Sequence, residues 1–578
     1  MSRTSICTPG LLSIALPLCV ALLPRGGIAQ DNVLIIVADD LGTDYVGAYG
    51  EGAAPAPTPN IDALAAQGVL FRNAWANPTC SPTRASFQTG RHGYRTGIGS
   101  PESGVPLSLD ETTIPEALDE NDAGYAHGYF GKWHLASGGG GPDHPNDQGW
   151  SQFTGLLGGG VGDYYHWSRN VNGVTAISHT YTSTQIVDDA LAWLSTESDP
   201  WVCVVAFNAP HTPFHEPPAE LHTQVLVGGN PNQNPAPYYR AAVEAMDTEI
   251  GRLLTTLGNE LASTNVIFFG DNGTPRQVSV APFTADHAKG SPYEGGVGVP
   301  FLVSGPAVTS PGREVDALVH AVDVFATVGD LVGTPLDVPV VRQDSISFAP
   351  YLSDPSQLDL RASVYAESFQ GDPDEDGFAV ARGERYKLIR HYDAIGVVSE
   401  EFYDLVATPF ETANLLPALS FVEQQAYAAL DAHILSVRDT TGGFEAIGTS
   451  TCIGSNGIPQ ISGTGAPSIG SSYVVNLAQA PGSAVTLLAI GRSDAYAATL
   501  GIALPFDLSI VGAGAGCNLY TSTEWLFPLT TSSAGTVALA VPLPNLPVLI
   551  GGSIYHSWII ADPIGVTATA GLRVTFGD

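Results

Sequence analysis

Lysine is nearly missing from this chain: of 578 residues only Lys132, Lys289 and Lys387 supply it. Lysine and arginine together number 22 against 57 aspartates and glutamates, a formal net charge of −35. So acidic a chain lacks the basic stripe that a phosphate backbone requires, which excludes nucleic acid as a partner. The same deficit sets a condition on any anionic substrate, because the positive charge that meets it must be local. Long apolar runs are lacking too. The run from Leu11 to Leu23 is short and contains Pro17, and no later segment approaches the length needed to span a bilayer. With Arg3 before it and Gly27-Ile28-Ala29 after it, that run reads as a signal peptide over residues 1–29. The expectation is an exported chain, periplasmic or extracellular, with no transmembrane segment. Cysteine is sparse, and beyond residue 29 only Cys80, Cys203, Cys452 and Cys517 remain. Export permits a disulfide, and Cys452 with Cys517, the two in the C-terminal region, form the expected pair. Cys203 lies in an apolar run and reads as a core residue, which leaves Cys80 unpaired.

What is present is an α/β pattern. From about residue 31 to 350, apolar strand-like runs alternate with helical periodicity, the mark of a largely parallel central sheet. Val33 to Ala38, Val202 to Phe207 and Val266 to Phe269 read as buried strands. Thr58-Pro59 opens a helix that closes at Gly68, and Tyr238 to Leu257 carries a second. Strands around Val364 and Tyr386 to Ile389, then a helix over Phe421 to Val437, form a smaller α+β unit. Near residue 440 charge almost vanishes and Gly, Ser, Thr, Ala and Pro rise, predicting an all-β sandwich or barrel. The expected division is a signal peptide at 1–29, a catalytic α/β domain at 30–360, a C-terminal subdomain at 361–440 and a β appendage at 441–578.

Candidate chemistry gathers after the strands. The first ends in Asp39-Asp40, the third in Asp271-Asn272-Gly273, and the second in Asn208-Ala209-Pro210-His211. Parallel strands bring such ends to one edge, where ligands of open α/β sheets bind. Three carboxylates and a carboxamide suit calcium or magnesium, although Asp and Asn are also ordinary turn residues. Cys80-Ser81-Pro82-Thr83-Arg84 predicts a helix start, with Ser81 as N-cap and Pro82 at the first helical position. That sets Cys80 against a positive helix end, with Arg84 on the same face. A buried free cysteine before a helix is the plainer alternative. His134 and His211 read singly as core histidines, and Lys289 beside Asp286 and His287 as a surface ion pair. Lys387 reads as structural.

The ordered set resembles the type I, formylglycine-dependent sulfatases of the alkaline phosphatase-like superfamily. It comprises Asp39-Asp40, Cys80-x-Pro-x-Arg84 with Thr89-Gly90-Arg91, Gly131-Lys132-Trp133-His134, Pro210-His211-x-Pro213, Asp271-Asn272-Gly273, Lys289 and Glu294-Gly295-Gly296. Arg385-Tyr386-Lys387-Leu388 and Phe402-Tyr403-Asp404-Leu405 extend the likeness to about residue 437, and the stretch from Gly104 to His134 is most similar to arylsulfatase B-type members. One departure is Gly298, where members often carry arginine. The resemblance implies an alkaline phosphatase-like fold and hydrolysis of sulfate monoesters, with sulfated sugars as substrate. It implies that a formylglycine-generating enzyme oxidises Cys80 to an aldehyde whose hydrate is the nucleophile. One calcium ion would be held by Asp39, Asp40, Asp271, Asn272 and the residue at 80. Arg84 and Lys132 would steady the hydrate, Lys289 and His211 would meet the sulfate and leaving oxygen, and His134 would take the proton that releases sulfate. His215, His287 and Arg276 are candidate substrate contacts. A formylglycine-dependent phosphonate monoester or phosphodiester hydrolase, and a non-catalytic glycan-binding protein, are the competing readings.

Overall fold

The computed structural model describes residues 30–577 apart from 337–340, 372–375, 394–395, 498–501, 512 and 514–515. The signal peptide expected at 1–29 lies outside these described residues. Among them no helix is long and apolar enough to cross a membrane.

The run Val33 to Ala38 is apolar at every position because its strand, β1 (Asn32–Asp39), is covered on both faces. Val33, Ile35 and Val37 join one core with Phe87 and Phe269, while Leu34, Ile36 and Ala38 join another with Tyr239, Met246 and Ile250. The period of two along the pleat thus divides one strand between two cores, with helices packed on each side of the sheet. The other strands of this sheet are β2 (Gly68–Trp75), β3 (Ala126–Lys132), β4 (Gln152–Leu156), β5 (Trp167–Val171), β6 (Val174–Ser178), β7 (Trp201–Pro210), β8 (Thr264–Gly270), β9 (Phe301–Ser304) and β10 (Arg313–His320). Their order is β10-β2-β9-β8-β1-β7-β3-β4-β5-β6. From β8 through β4 every pairing is parallel, and β9 and β5 run against their neighbours. The expected helices form as Pro59–Ala66, with Thr58 at its N-cap, and Pro235–Leu257.

A four-stranded antiparallel sheet follows: β11 (Val364–Ser368), β12 (Gly377–Arg382), β13 (Tyr386–Asp393) and β14 (Gly396–Asp404). One face, with Tyr365, Ala379, Leu388 and Phe402, takes the helix Phe421–Val437 through Leu430 and Ile434. The other, with Val364, Val380 and Ile389, packs on Trp75, Val297 and Leu318 of the larger sheet's side. Lys387 sits in this second interface. It is buried with its ammonium 2.7 Å from Glu411 and 3.1 Å from Glu294, and 4.6 Å from the centre of the Trp75 ring. Gly298 shares a crevice with Arg382, whose guanidinium reaches Glu294 at 2.9 Å. A positive charge therefore does stand beside Glu294, delivered from β12.

Among the described residues beyond 442, every regular element but two short 3-10 turns is a strand. One sheet contains Val485–Gly491, Ser553–Asp562 and Gly571–Thr575, another contains Ser472–Ala478 and Val537–Pro542. Tyr473, Val475 and Leu477 of the second meet Leu488, Trp558, Ile560 and Val574 of the first in one core, which makes this a sandwich. Cys452 and Cys517 are joined by a disulfide across 65 residues of sequence, while Cys80 and Cys203 are free and buried.

Removing the Lys387 ammonium leaves Glu294 and Glu411 sharing an interior without it. Lys387→Met should cost about 3 kcal/mol or more in chemical denaturation, since breaking a buried pair strands its partner. An unchanged midpoint would contradict this role.

Candidate active site

Parallel pairing settles where the strand ends meet. Ala38 stands opposite Gly270, Asp39 opposite Pro210, and Gly131 of β3 opposite Ala206 of β7. The carboxyl ends of β1, β7, β8 and β3 therefore share one edge. Strand patterning points to three of these ends. β3 supplies a fourth that patterning hides, because Ala126–Lys132 carries His127 and two glycines in place of a continuous apolar run. Gly131 is needed there: its φ is 113° and a Cβ would lie 1.9 Å from the Ala206 carbonyl oxygen. The chain then enters Lys132 fully buried and His134 with a φ of 59°.

Cys80 begins the helix Cys80–Thr89, with Thr79 at the N-cap in extended conformation. The expectation of Ser81 as N-cap is corrected by two residues. Thr79 has the extended dihedrals that a cap needs, whereas Ser81 and Pro82 already lie within the first helical turn. Cys80 is thus the first helical residue, still at the positive end. Arg84 lies one turn on. Its guanidinium donates to Asp271 Oδ2 at 2.7 Å and to the Lys132 carbonyl at 2.5 Å, entirely buried.

The remaining charges interlock. Lys132 Nζ donates to Asp39 Oδ2 at 2.6 Å, and Lys289 Nζ to Asp40 Oδ1. Asn272 Nδ2 donates to Asp40 Oδ1 at 2.9 Å, and the Asp40 amide to Asp271 Oδ1 at 3.1 Å. His211 Nε2 stands 3.8 Å from Asp40 Oδ2. Asp40 has a φ of 68°, a left-handed backbone that these bonds, with Tyr239 Oη donating to its carbonyl, hold in place. One ligand atom each from Asp39, Cys80 and Asp271 lie within 4.8 Å of one another, as do those of Asp39, Asp40 and His211.

Three cations face three carboxylates here, yet burial leaves the carboxylates unevenly stabilised. Burial pushes Asp271 up to about 6, Asp39 adds to the rise, and Arg84 and Lys132 only partly oppose it. Burial would raise Asp40 as well, but Lys289, His211 and Lys132 outweigh it and hold the carboxyl far below its ordinary range. Burial raises the Cys80 thiol, and burial with Lys132 and Arg84 keeps His134 neutral. Asp39 Oδ1 and Asn272 Oδ1 are buried without a hydrogen-bond partner, as is His134 Nδ1. Unsatisfied carboxylate and carboxamide oxygens, with a raised carboxyl among them, fit a hard divalent cation.

Lys289, Asp40 and His211 open on a cleft of about 270 Å³ whose mouth is formed by Thr212, Arg276 and Gln277. Arg276 is therefore at the cleft. His215 is not: its ring stacks on Tyr164 at 3.7 Å, and both nitrogens are engaged by Tyr181 Oη and the Pro213 carbonyl. His287 stacks on Tyr293 at 3.6 Å. Sequence reasoning passes over two further neighbours. Asn208 at the end of β7 is buried with both amide atoms unpartnered, and a Cβ on Gly159 would come within 2.3 Å of His134 Nε2. The signal for the second was the glycine run Gly158 to Gly160, unreadable until the fold brings it against the histidine.

The family model described as Sulfatase matches residues 31–334, and that described as N-sulphoglucosamine sulphohydrolase, C-terminal, matches residues 287–438. Arylsulfatase A of Bos taurus is 29% identical over 454 residues, covering 69% of this chain and 86% of the relative. Arylsulfatase J of Mus musculus is 30% identical over 336 residues, 54% of each chain. Among solved structures, Ps i-CgsB in complex with k-i-k-neocarrahexaose superposes with a TM-score of 0.57 at 25% identity, covering 70% of this chain and 91% of that one. BT4656 in complex with its substrate D-glucosamine-2-N,6-O-disulfate gives 0.56 at 20% identity, covering 71% and 97%, and shares the fold.

Asp271 supplies a pH test of the cation. Its carboxyl titrates at about 6 in the fold against 3.8 unfolded, so the neutral form is favoured there. Ionising it in the metal-free protein costs about 3 kcal/mol, a cost absent below about pH 4 and complete above about pH 6. The opposite shift of Asp40 is already fully stabilising above about pH 4 and adds no slope in this window. The rise in melting temperature on adding calcium to chelator-treated protein should therefore grow from about pH 4.5 to about pH 7. A calcium effect that stays constant across that range would contradict the assignment.

Proposed function

This chain belongs to the sulfatase family and is a sulfuric ester hydrolase; from that premise we propose an exported, calcium-dependent enzyme that uses a formylglycine at position 80 to remove sulfate from sulfated carbohydrate. The observation that carries the reading is the closeness of Cys80 to Asp39 and Asp271 at the carboxyl edge of the parallel strands. Asp39, Asp40, Asp271 and Asn272, with the oxygen at position 80, would hold the calcium. When bound, that ion supplies Lewis acidity, absorbing charge on sulfate oxygen and lowering the pKa of the attacking hydroxyl. An aldehyde at position 80, once hydrated, supplies two hydroxyls on one carbon, one for attack on sulfur and one whose deprotonation lets sulfate go.

The surrounding residues then have distinct tasks. Arg84 and Lys132 fix the orientation of residue 80 and balance Asp271 and Asp39. Lys289 meets the sulfonate oxygens at the cleft, where charge builds as the ester bond lengthens. His211 donates a proton to the departing alcohol oxygen. Neutral His134 accepts the proton of the second hydroxyl, since desolvation leaves its imidazole unprotonated and available. Sulfated carbohydrate is favoured because two of the similar structures contain an oligosaccharide or a sulfated sugar. We further read residues 30–360 as the catalytic domain, 361–440 as its subdomain, and 441–578 as an appended sandwich.

Cys80→Ala should fold normally and release no sulfate, and normal turnover by that variant would refute the nucleophile. Matched aryl sulfate and aryl phosphonate esters separate the two hydrolase readings; a large preference for phosphonate would overturn the sulfatase one. His211→Ala should lower kcat by about 10² to 10⁴ on a sugar sulfate, whose alkoxide needs a proton. The loss should be far smaller on 4-nitrophenyl sulfate, whose phenolate leaves unaided. Equal losses on both would remove His211 as the proton donor.

A further inference from the structure

Each lysine and arginine of the buried cluster is already committed. Lys132 is paired with Asp39, Lys289 with Asp40, and Arg84 with Asp271. Arg276 differs. It is exposed at the cleft mouth beside Gln277, and its guanidinium has no hydrogen bond or ion pair among the described residues. An unpaired arginine is notable there because the chain as a whole repels anions with a net charge of −35.

The turn that carries it is rigid. Pro275 precedes it, and the amides of Val278 and Ser279 both donate to the Pro275 carbonyl at 3.0 Å. Tyr45 Oη donates to the Val278 carbonyl at 2.6 Å, Gly42 N donates to Thr274 Oγ1 at 3.1 Å, and Thr274 Oγ1 donates to Asp44 Oδ1 at 2.5 Å. Asp271 and Asn272 begin the same segment, so the backbone under Arg276 is tied directly to the reaction centre. Its fork-shaped guanidinium is suited to a planar or tetrahedral oxyanion.

We propose that Arg276 selects substrates carrying a second oxyanion on the sugar next to the ester being cleaved. This deepens the sulfatase reading and depends on it. The scissile sulfate occupies the floor with Lys289 and His211, and the second group, a sulfate ester or a uronate carboxylate, is held at the rim by Arg276. Binding energy from that remote group then orients the ester at the floor.

The test compares kcat/KM for three sugar sulfates: one with a single sulfate, one with an added neighbouring sulfate, and one with a neighbouring uronate. Wild-type protein should favour an added anion, and which of the two it favours identifies the group. Arg276→Gln should cut the two-anion to one-anion ratio about tenfold, and Arg276→Lys should restore part of it. The wild-type ratio should also fall as salt is raised, because the contact is exposed. Equal losses by Arg276→Gln on all three sugars, or no change in the ratio, would overturn the proposal while leaving the hydrolase intact. Failure of the wild type to release sulfate from any of them would overturn the sulfatase reading and this proposal together.

Discussion

Three carboxylates, Asp39, Asp40 and Asp271, are buried beside one another at the edge of a parallel sheet, and most of the site follows from keeping them there. With ligand atoms under 5 Å apart, Asp39 repels Asp40 and Asp271 by about 3 kcal/mol each even at an effective dielectric of about 20. Lys132, Lys289 and Arg84 answer that repulsion one carboxylate at a time. They do not cancel it, as the raised Asp271 and the unpartnered oxygens of Asp39 and Asn272 show. A divalent cation would satisfy those oxygens. The same field bears on Cys80, which lies at a helix start within reach of two of the three carboxylates.

This constraint also explains how so acidic a protein accommodates an anionic ester. Two of the three lysines are spent within the cluster, and the third, Lys387, fastens the four-stranded sheet to the main one. Positive charge is thus placed where burial makes it strong, while the chain as a whole stays negative. The left-handed Asp40 and His134 fit the same account, since a backbone in that region persists only where neighbours over-determine it.

Much of this was legible in the sequence for physical reasons. Strands β1, β7 and β8 are buried on both faces, so their apolar runs are continuous and their polar ends stand out. The helix Phe421–Val437 forms over the span expected, opened in the structure by a Ser420 cap closed with Glu423. Contacts that depend on three-dimensional approach were not legible. β3 is interrupted by glycines, Thr79 takes the cap position ahead of Ser81, and Gly159 meets His134 only after folding. His215 is a candidate substrate contact by sequence, yet Tyr164 and Tyr181 enclose it.

The account turns on the chemical state of residue 80. A thiol there is buried and held in its neutral form, which makes it a poor nucleophile for sulfur. Peptide mass spectrometry of catalytically active protein, made in a host that has the maturation enzyme, reads that state directly. The account predicts an aldehyde or its hydrate at position 80, in proportion to specific activity across preparations. Full activity with an unmodified cysteine at that position would contradict it.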